Sequence, residues 1–181
     1  MNKNIFRAYD IRGHSETDLD QATIRKVGYV LGKRIKDNHQ ESVYVGHDSR
    51  LSATKIQNAL VSGFNAAGVR VLLLGLVPTP MVYYATNTGI TPNGVMITGS
   101  HNPKDDNGLK MVINGHVVSG EELLTEFANQ AEIKHGERNF EEIDLFPLYQ
   151  KEINDKFKLN KKLKIVLDAG NGAAGVCLLY T

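Results

Sequence analysis

Apolar residues along the chain recur with two periods. Ile24, Val27, Leu31 and Ile35 follow the three-and-four spacing of an amphipathic helix, with Asp20 ahead as an N-cap and Lys33, Arg34 and Lys36 at the basic C-terminal end. A short strand, Val43 to Val45, then runs into the polar loop "GHDSR", and a second helix follows with Ile56, Leu60, Phe64 and Ala67 on one face and Gly68 as its stop. "VRVLLLGL" alternates too little to have one wet face, so it predicts a strand covered on both sides, as in sheets of α/β proteins. "PTPMVYYATNTG" predicts a short helix opened by proline, "GVMIT" a third buried strand, and "LKMVIN", entered through the turn pair Asn107-Gly108, a fourth. Ser119 and Glu122 have capping-box spacing ahead of Leu123, Leu124 and Phe127, which starts a third long helix. The pattern predicts a three-layer α/β/α domain around a mixed, mostly buried four-stranded sheet.

Near residue 150 the text changes. "QKEINDKFKLNKK" is lysine-rich and reads as a solvated helix or linker, and "LKIVLDAGNGAAG" reads as a new strand ending in a glycine turn. The expected organisation is a domain over residues 1–150, a linker over 151–162, and over 163–181 the first strand of a second α/β domain that is not completed.

Composition narrows the class. With 181 residues, 41% hydrophobic and 23% charged, the chain is that of a globular protein able to bury a sizeable core. A formal net charge of +1, with acids and bases interspersed, gives no case for nucleic acid or an anionic membrane surface as partner, so an acidic ligand must be met locally. The single cysteine, Cys177, excludes an internal disulfide and fits a reducing compartment, with the cytoplasm as the expected location. "VLLLGLV" is far short of the roughly 20 residues a membrane helix needs, and the N-terminus has no signal-peptide core.

Three stretches invite a chemical reading. Gly170, Gly172 and Gly175 fit the G-x-G-x-x-G dinucleotide pattern, but a tight strand-to-helix turn explains the same glycines. "TGSHNP" is not a nucleophile elbow, because Asn102 stands where the second glycine belongs, and on extended backbone the side chains of Ser100 and His101 point to opposite sides. His14, His39, His47, His101, His116 and His135 are scattered without metal-ligand spacing. What remains is Ser100 at the tip of a buried strand with donors on either side. Lys110 lies on the returning strand, on the face opposite Leu109, Met111 and Ile113. Such a serine suits a phosphate, which carries close to two negative charges and needs donors and cations around it. A polar surface hairpin accounts for this stretch equally well.

Five blocks taken together carry a resemblance. "IFRAYDIRG" at 5–13, "VGHDSRLS" at 45–52, "VPTPMVYYA" at 77–85, "GVMITGSHNPKDDNGLK" at 94–110 and "VLDAGNGAAG" at 166–175 stand in the order and approximate spacing of the α-D-phosphohexomutases, and the chain most resembles their bacterial phosphomannomutase/phosphoglucomutase branch. The resemblance implies a reversible mutase. Ser100 would carry the phosphoryl group, donate it to a hexose phosphate to form a hexose 1,6-bisphosphate, and recover a phosphoryl group from the other end after the sugar reorients. By the same resemblance the phosphate on Ser100 would ligate Mg2+, glucose 1,6-bisphosphate would serve as activator, and His101 and Asn102 would line the site. Lys110 would assist proton transfer or stabilise the transferring group, and Tyr9 and Arg12 would contact sugar and phosphate. Asp48 and Arg50 would brace the cleft, or form only a structural turn.

"RAYDIRG" and "TGSHNP", where phosphoglucosamine mutases usually carry "GTDGIRG"-like and "SASHNP" words, favour mannose or glucose phosphates over glucosamine phosphate. The family has four domains, and this chain resembles the first plus the opening of the second. The aspartate-rich "DGDGD"-like loop and the sugar- and phosphate-binding loops of the later domains are absent from it, so a truncated mutase with little or no turnover is expected, or alternatively a non-catalytic phosphosugar-binding module. Oligomeric state is not legible.

Overall fold

The computed structural model describes residues 2–133, 137, 139–158 and 160–178. Its strands are β1 (Ile11–His14), β2 (Ser42–His47), β3 (Arg70–Leu76), β4 (Gly94–Ile97), β5 (Asp106–Ile113), β6 (His116–Val118) and β7 (Phe140–Glu142). Its helices are α1 (Gln21–Asp37), α2 (Ala53–Ala66), α3 (Thr79–Thr88), α4 (Gly120–Asn129), α5 (Phe146–Lys156) and the short α6 (Gly175–Leu178). The strands form one seven-stranded sheet in the order β1-β5-β4-β2-β3-β7, with β6 paired to β5. The centre is parallel, β2 lying between β3 and β4, and the β1-β5-β4 side is antiparallel.

The α/β sandwich is as expected, but the sheet has seven strands rather than four. The three unread strands are three or four residues long and lie at or near the margins, where pairing with a neighbour rather than local pattern makes the strand. Asn107-Gly108 is not the expected turn. Both residues lie inside β5, opposite Gly13 and Arg12 of β1. The strand expected from residue 163 is also not formed. Residues 163–169 pair with no described strand, and Val166 is 91% exposed. Strand propensity without a partner for its backbone groups does not make a strand. The lysine-rich stretch begins as α5, a helix with no buried residue.

Two apolar layers hold the sheet. On one face Val43, Val45, Val71, Val95, Ile97, Leu109 and Met111 pack against α1, α2 and α4 through Ile24, Leu31, Leu60, Phe64, Leu123 and Phe127. On the other, Tyr44, Leu72, Leu74 and Met96 meet Met81, Val82 and Ala85 of α3, with Phe146 and Tyr149 of α5 alongside. β3 is therefore buried on both sides, as its unbroken apolar run requires. Each fully buried Leu, Ile or Phe contributes roughly 1.5–3 kcal/mol of transfer free energy. The expected caps are present: Asp20 accepts the Thr23 N–H, and Ser119 and Glu122 close a capping box on α4.

Because α2 follows β2 to one face and α3 follows β3 to the other, the chain switches direction at β2 and β4. Their parallel C-terminal ends open side by side there, where a ligand crevice forms in open α/β sheets. The loop 48–52 and the loop 98–105 leave from that edge. The antiparallel partner β5 brings Asp106 to Gly108, and beside them the end of β1, to the same place.

α1 and α2 touch backbone to backbone. A Cβ on Gly63 would stand 2.1 Å from the Arg25 carbonyl oxygen, and one on Gly28 2.5 Å from that of Leu60. Gly63→Ala should therefore destabilise the protein. The gain in helix propensity, about 1 kcal/mol, is smaller than the roughly 3 kcal/mol of forcing two helices apart, so a net loss of about 2 kcal/mol in urea unfolding is expected. An unchanged midpoint would refute this packing.

Candidate functional site

The loop after β4 is held from beneath by a pair at the end of β2. Asp48 Oδ2 accepts the Thr98 hydroxyl at 2.8 Å and the Gly99 N–H at 3.2 Å, and Asp48 Oδ1 accepts the Arg50 N–H at 3.0 Å. Arg50 Nε lies 3.4 Å from the same Asp48 carboxylate. The Arg50 guanidinium donates to the carbonyl of Ser100 at 3.0 Å, of Asn102 at 2.7 Å and of Asp106 at 2.9 Å, and also to that of Pro103. It lies flat against Gly99, where a Cβ would be 2.3 Å from Arg50 Cζ. One side chain thus satisfies the carbonyls that the turning loop takes away from the sheet.

The clasp leaves Ser100 in an unusual state. Its φ is +54°, the left-handed region that non-glycine residues rarely enter, and its N–H donates to Thr98 Oγ1 at 2.9 Å. Its side chain is exposed. The left-handed turn also brings His101 Nδ1 to 3.4 Å from Ser100 Oγ, so the expectation that the two side chains diverge is corrected. That expectation assumed extended backbone.

A charged chain of contacts flanks the loop. Arg12 Nη1 donates to Asn102 Oδ1 at 3.0 Å, while Asn102 Nδ2 donates to Asp106 at 3.2 Å. Arg12 Nε donates to Asp10 Oδ2 at 2.7 Å, and Lys110 Nζ lies 3.6 Å from that same oxygen. Gly108, opposite Arg12 on β5, has no side chain to displace the arginine stem. Tyr9, by contrast, is 82% exposed.

A cleft of about 900 Å3 opens in front of the loop. Ser100 and Asn102 line it together with Lys104, Lys55 and Glu16, and Gly170 to Ala173 form part of its wall. Arg12, Lys110, His101 and Tyr9 are not among its lining residues, and Arg12 is linked to it through its bond to Asn102. Lys55 and Glu16 form an ion pair at 2.6 Å, and that bond holds the Glu16 carboxyl below its ordinary range. The glycines read as a dinucleotide pattern form a tight turn: Gly170 N–H donates to the Asp168 side chain, and Gly170 and Asn171 both have positive φ.

Sequence reasoning missed Asp10, Thr98 and the extent of the Arg50 clasp. Asp10 was open to discovery, since Asp10 and Arg12 are two apart on an extended segment and share a face. The clasp was not, because its acceptors are backbone carbonyls that any residue supplies. His135 lies outside the described residues. Among the described residues no group of three or more His, Cys, Asp or Glu side chains could hold a metal ion. Asp48 and Asp10 are committed to Arg50, Arg12 and Lys110, so the residues present do not make an octahedral Mg2+ site.

Residues 3–134 match the family model described as phosphoglucomutase/phosphomannomutase, alpha/beta/alpha domain I. The phosphomannomutase/phosphoglucomutase of Pseudomonas syringae pv. tomato is 41% identical over 174 residues, 95% of this chain and 37% of that relative. A phosphoglucomutase of Neisseria meningitidis serogroup A is 36% identical, over 96% of this chain and 38% of its own length. A phosphoglucomutase/phosphomannomutase family protein from Burkholderia thailandensis superposes with a TM-score of 0.90 at 35% identity, over 99% of this chain and 42% of that one. The chain thus spans about two fifths of the length of these proteins.

Arg50→Lys keeps the charge but loses the planar fork. Amide exchange at Gly99 and Ser100 should quicken about tenfold or more, while urea unfolding loses only about 1–2 kcal/mol, since the sheet beneath is untouched. Unchanged exchange at those two amides would show that the clasp does not hold the loop.

Proposed function

The chain belongs to the phosphoglucomutase/phosphomannomutase family, and on that premise we propose that it carries the phosphoryl-bearing serine of a phosphohexomutase. The observation that carries this reading is Ser100 itself: an exposed side chain at a cleft, on a loop whose Ser100, Asn102 and Pro103 carbonyls turn inward to Arg50 and whose Asn102 is bonded to Arg12. The reaction is the exchange of hexose 1-phosphate and 6-phosphate. A hydroxyl oxygen of the sugar phosphate attacks the phosphorus on Ser100, the P–Oγ bond breaks, and the serine oxygen recovers a proton as the bisphosphate forms. After the sugar turns, Ser100 Oγ attacks the other phosphoryl group, the P–O bond to the sugar breaks, and the proton from Oγ passes to the sugar oxygen. Such transfers depend mostly on alignment and charge neutralisation.

In this reading Arg12 and Lys110 neutralise the phosphoryl oxygens, Lys110 also serving proton movement, and Asn102 and His101 flank the serine. Tyr9, on the exposed turn, meets the sugar as it enters. The names of the relatives favour mannose and glucose phosphates. Were Mg2+ bound, the phosphoserine oxygens would be what this chain offers it, and the ion would add charge neutralisation, because Asp48 and Asp10 are committed to Arg50, Arg12 and Lys110.

Labelled glucose 1,6-bisphosphate, given with Mg2+, should leave one phosphate per chain on Ser100, mapped by mass spectrometry, and Ser100→Ala should take none. Label on another residue would reject the assignment. For turnover, residues 3–134 can replace the matching segment of the Pseudomonas syringae relative. The chimera should interconvert mannose 1- and 6-phosphates, with Ser100→Ala lowering kcat/KM by about 10³ or more. A chimera fully active without Ser100 would end the proposal.

A further inference from the structure

Asp10 is the most deeply buried charged side chain at this edge of the sheet, 7% exposed, and among the described residues it is the acid paired with both Arg12 and Lys110. Both cations approach the same oxygen, Oδ2, while their own side chains stay 26% and 30% exposed. The carboxylate is thus the floor, with the two cationic heads above it. Its backbone is fixed independently of them. The Arg7 N–H donates to the Asp10 carbonyl at 2.9 Å, Phe6 bridges to Ile11, and Glu121 at the start of α4 donates to the Arg7 carbonyl. Gly120 packs so closely there that a Cβ would be 2.5 Å from the Asp10 oxygen.

Without this carboxylate two like charges would stand on neighbouring strands and repel each other. With it they are held side by side, and one of their two charges is cancelled. We propose that Asp10 is a positioning residue, which fixes Arg12 and Lys110 against the Ser100 loop and limits how strongly the pair grips a phosphate. The second effect follows from competition, since each cation divides its attraction between Asp10 and the anion. In a mutase the phosphoryl group must leave one oxygen for another, so a cation pair that held it with full charge would stabilise the bound state as much as the transfer state. This inference rests on the reading of Ser100 as phosphoryl carrier only for its role in catalysis. The geometry and the anion binding stand apart from it.

The test uses the 181-residue protein and inorganic phosphate as probe, at low salt, with the Arg12 Nε–H signal followed by NMR and assigned through Arg12→Lys. In Asp10→Asn the Nε–H proton should exchange with solvent about tenfold faster, and phosphate should bind roughly threefold to tenfold more tightly, the gain shrinking as salt is raised. A residue that served stability alone would leave phosphate affinity unchanged or weaken it, and either result would overturn the proposal. If Asp10→Asn does not fold, Lys110→Met reads the same relation. With its competitor gone Asp10 gives Arg12 its whole charge, so Nε–H exchange should slow, and an unchanged rate would equally refute the sharing. Neither measurement involves phosphate on Ser100. Failure to label Ser100 would remove the mutase reading and leave this one, and the reverse also holds.

Discussion

The site depends on the bond set between Asp48, Arg50 and the loop after β4. β2 and β4 are parallel neighbours, so their ends reach the same edge, and a loop leaving there must find partners for carbonyls that the sheet no longer takes. Arg50 supplies them from one planar group, and Asp48 takes the Gly99 N–H and the Thr98 hydroxyl on the other side. The constraint propagates outward. Position 99 must lack a Cβ because a guanidinium lies there, Thr98 must carry a hydroxyl to receive the Ser100 N–H, and Ser100 is driven into the left-handed region. That conformation costs on the order of 1–2 kcal/mol, which the bonds around it offset. It leaves the hydroxyl exposed, with His101 Nδ1 3.4 Å away.

The two faces of the sheet divide the labour. One is covered by α1, α2 and α4 from β1 to β3, while the other is covered by α3 and α5 only over β2 to β4. Where that second cover ends, β5, β1 and the residue ahead of β1 carry Lys110, Arg12 and Asp10. A half-covered sheet thus provides a packed interior and a charged ledge from the same strands. The ledge adjoins the loop through the bond from Arg12 to Asn102, so the strength of the cations and the posture of Ser100 are set by one connected network.

Much of this was legible in the chain. The helices were, because a 3.6-residue apolar period and its caps are local: Asp20, Gly68 and the Ser119-Glu122 box each sit where they were read. The central strands were too, because burial on both sides leaves an unbroken apolar run. Lys110 could be placed on the strand that returns beside β4, where it stands opposite Met96. The marginal strands could not, since three or four residues become a strand only against a neighbour. Asn107-Gly108 carries a turn signal and lies in a strand for the same reason, with β1 on one side holding the backbone extended. "LKIVL" shows the converse, a strand signal with no described neighbour to pair with.

Composition and order along the chain determined the α/β class and the apolar faces, because each of these depends on side-chain type and on periods of two or 3.6. Tertiary structure alone decided that Ser100 is left-handed, that His101 turns back beside it, that Arg50 spends its donors on backbone carbonyls, and that one oxygen of Asp10 serves two cations. These are contacts between groups up to a hundred residues apart, and several involve backbone atoms that are the same in every residue, so no local pattern encodes them. They exist because the switch in sheet direction brings four chain segments to one edge.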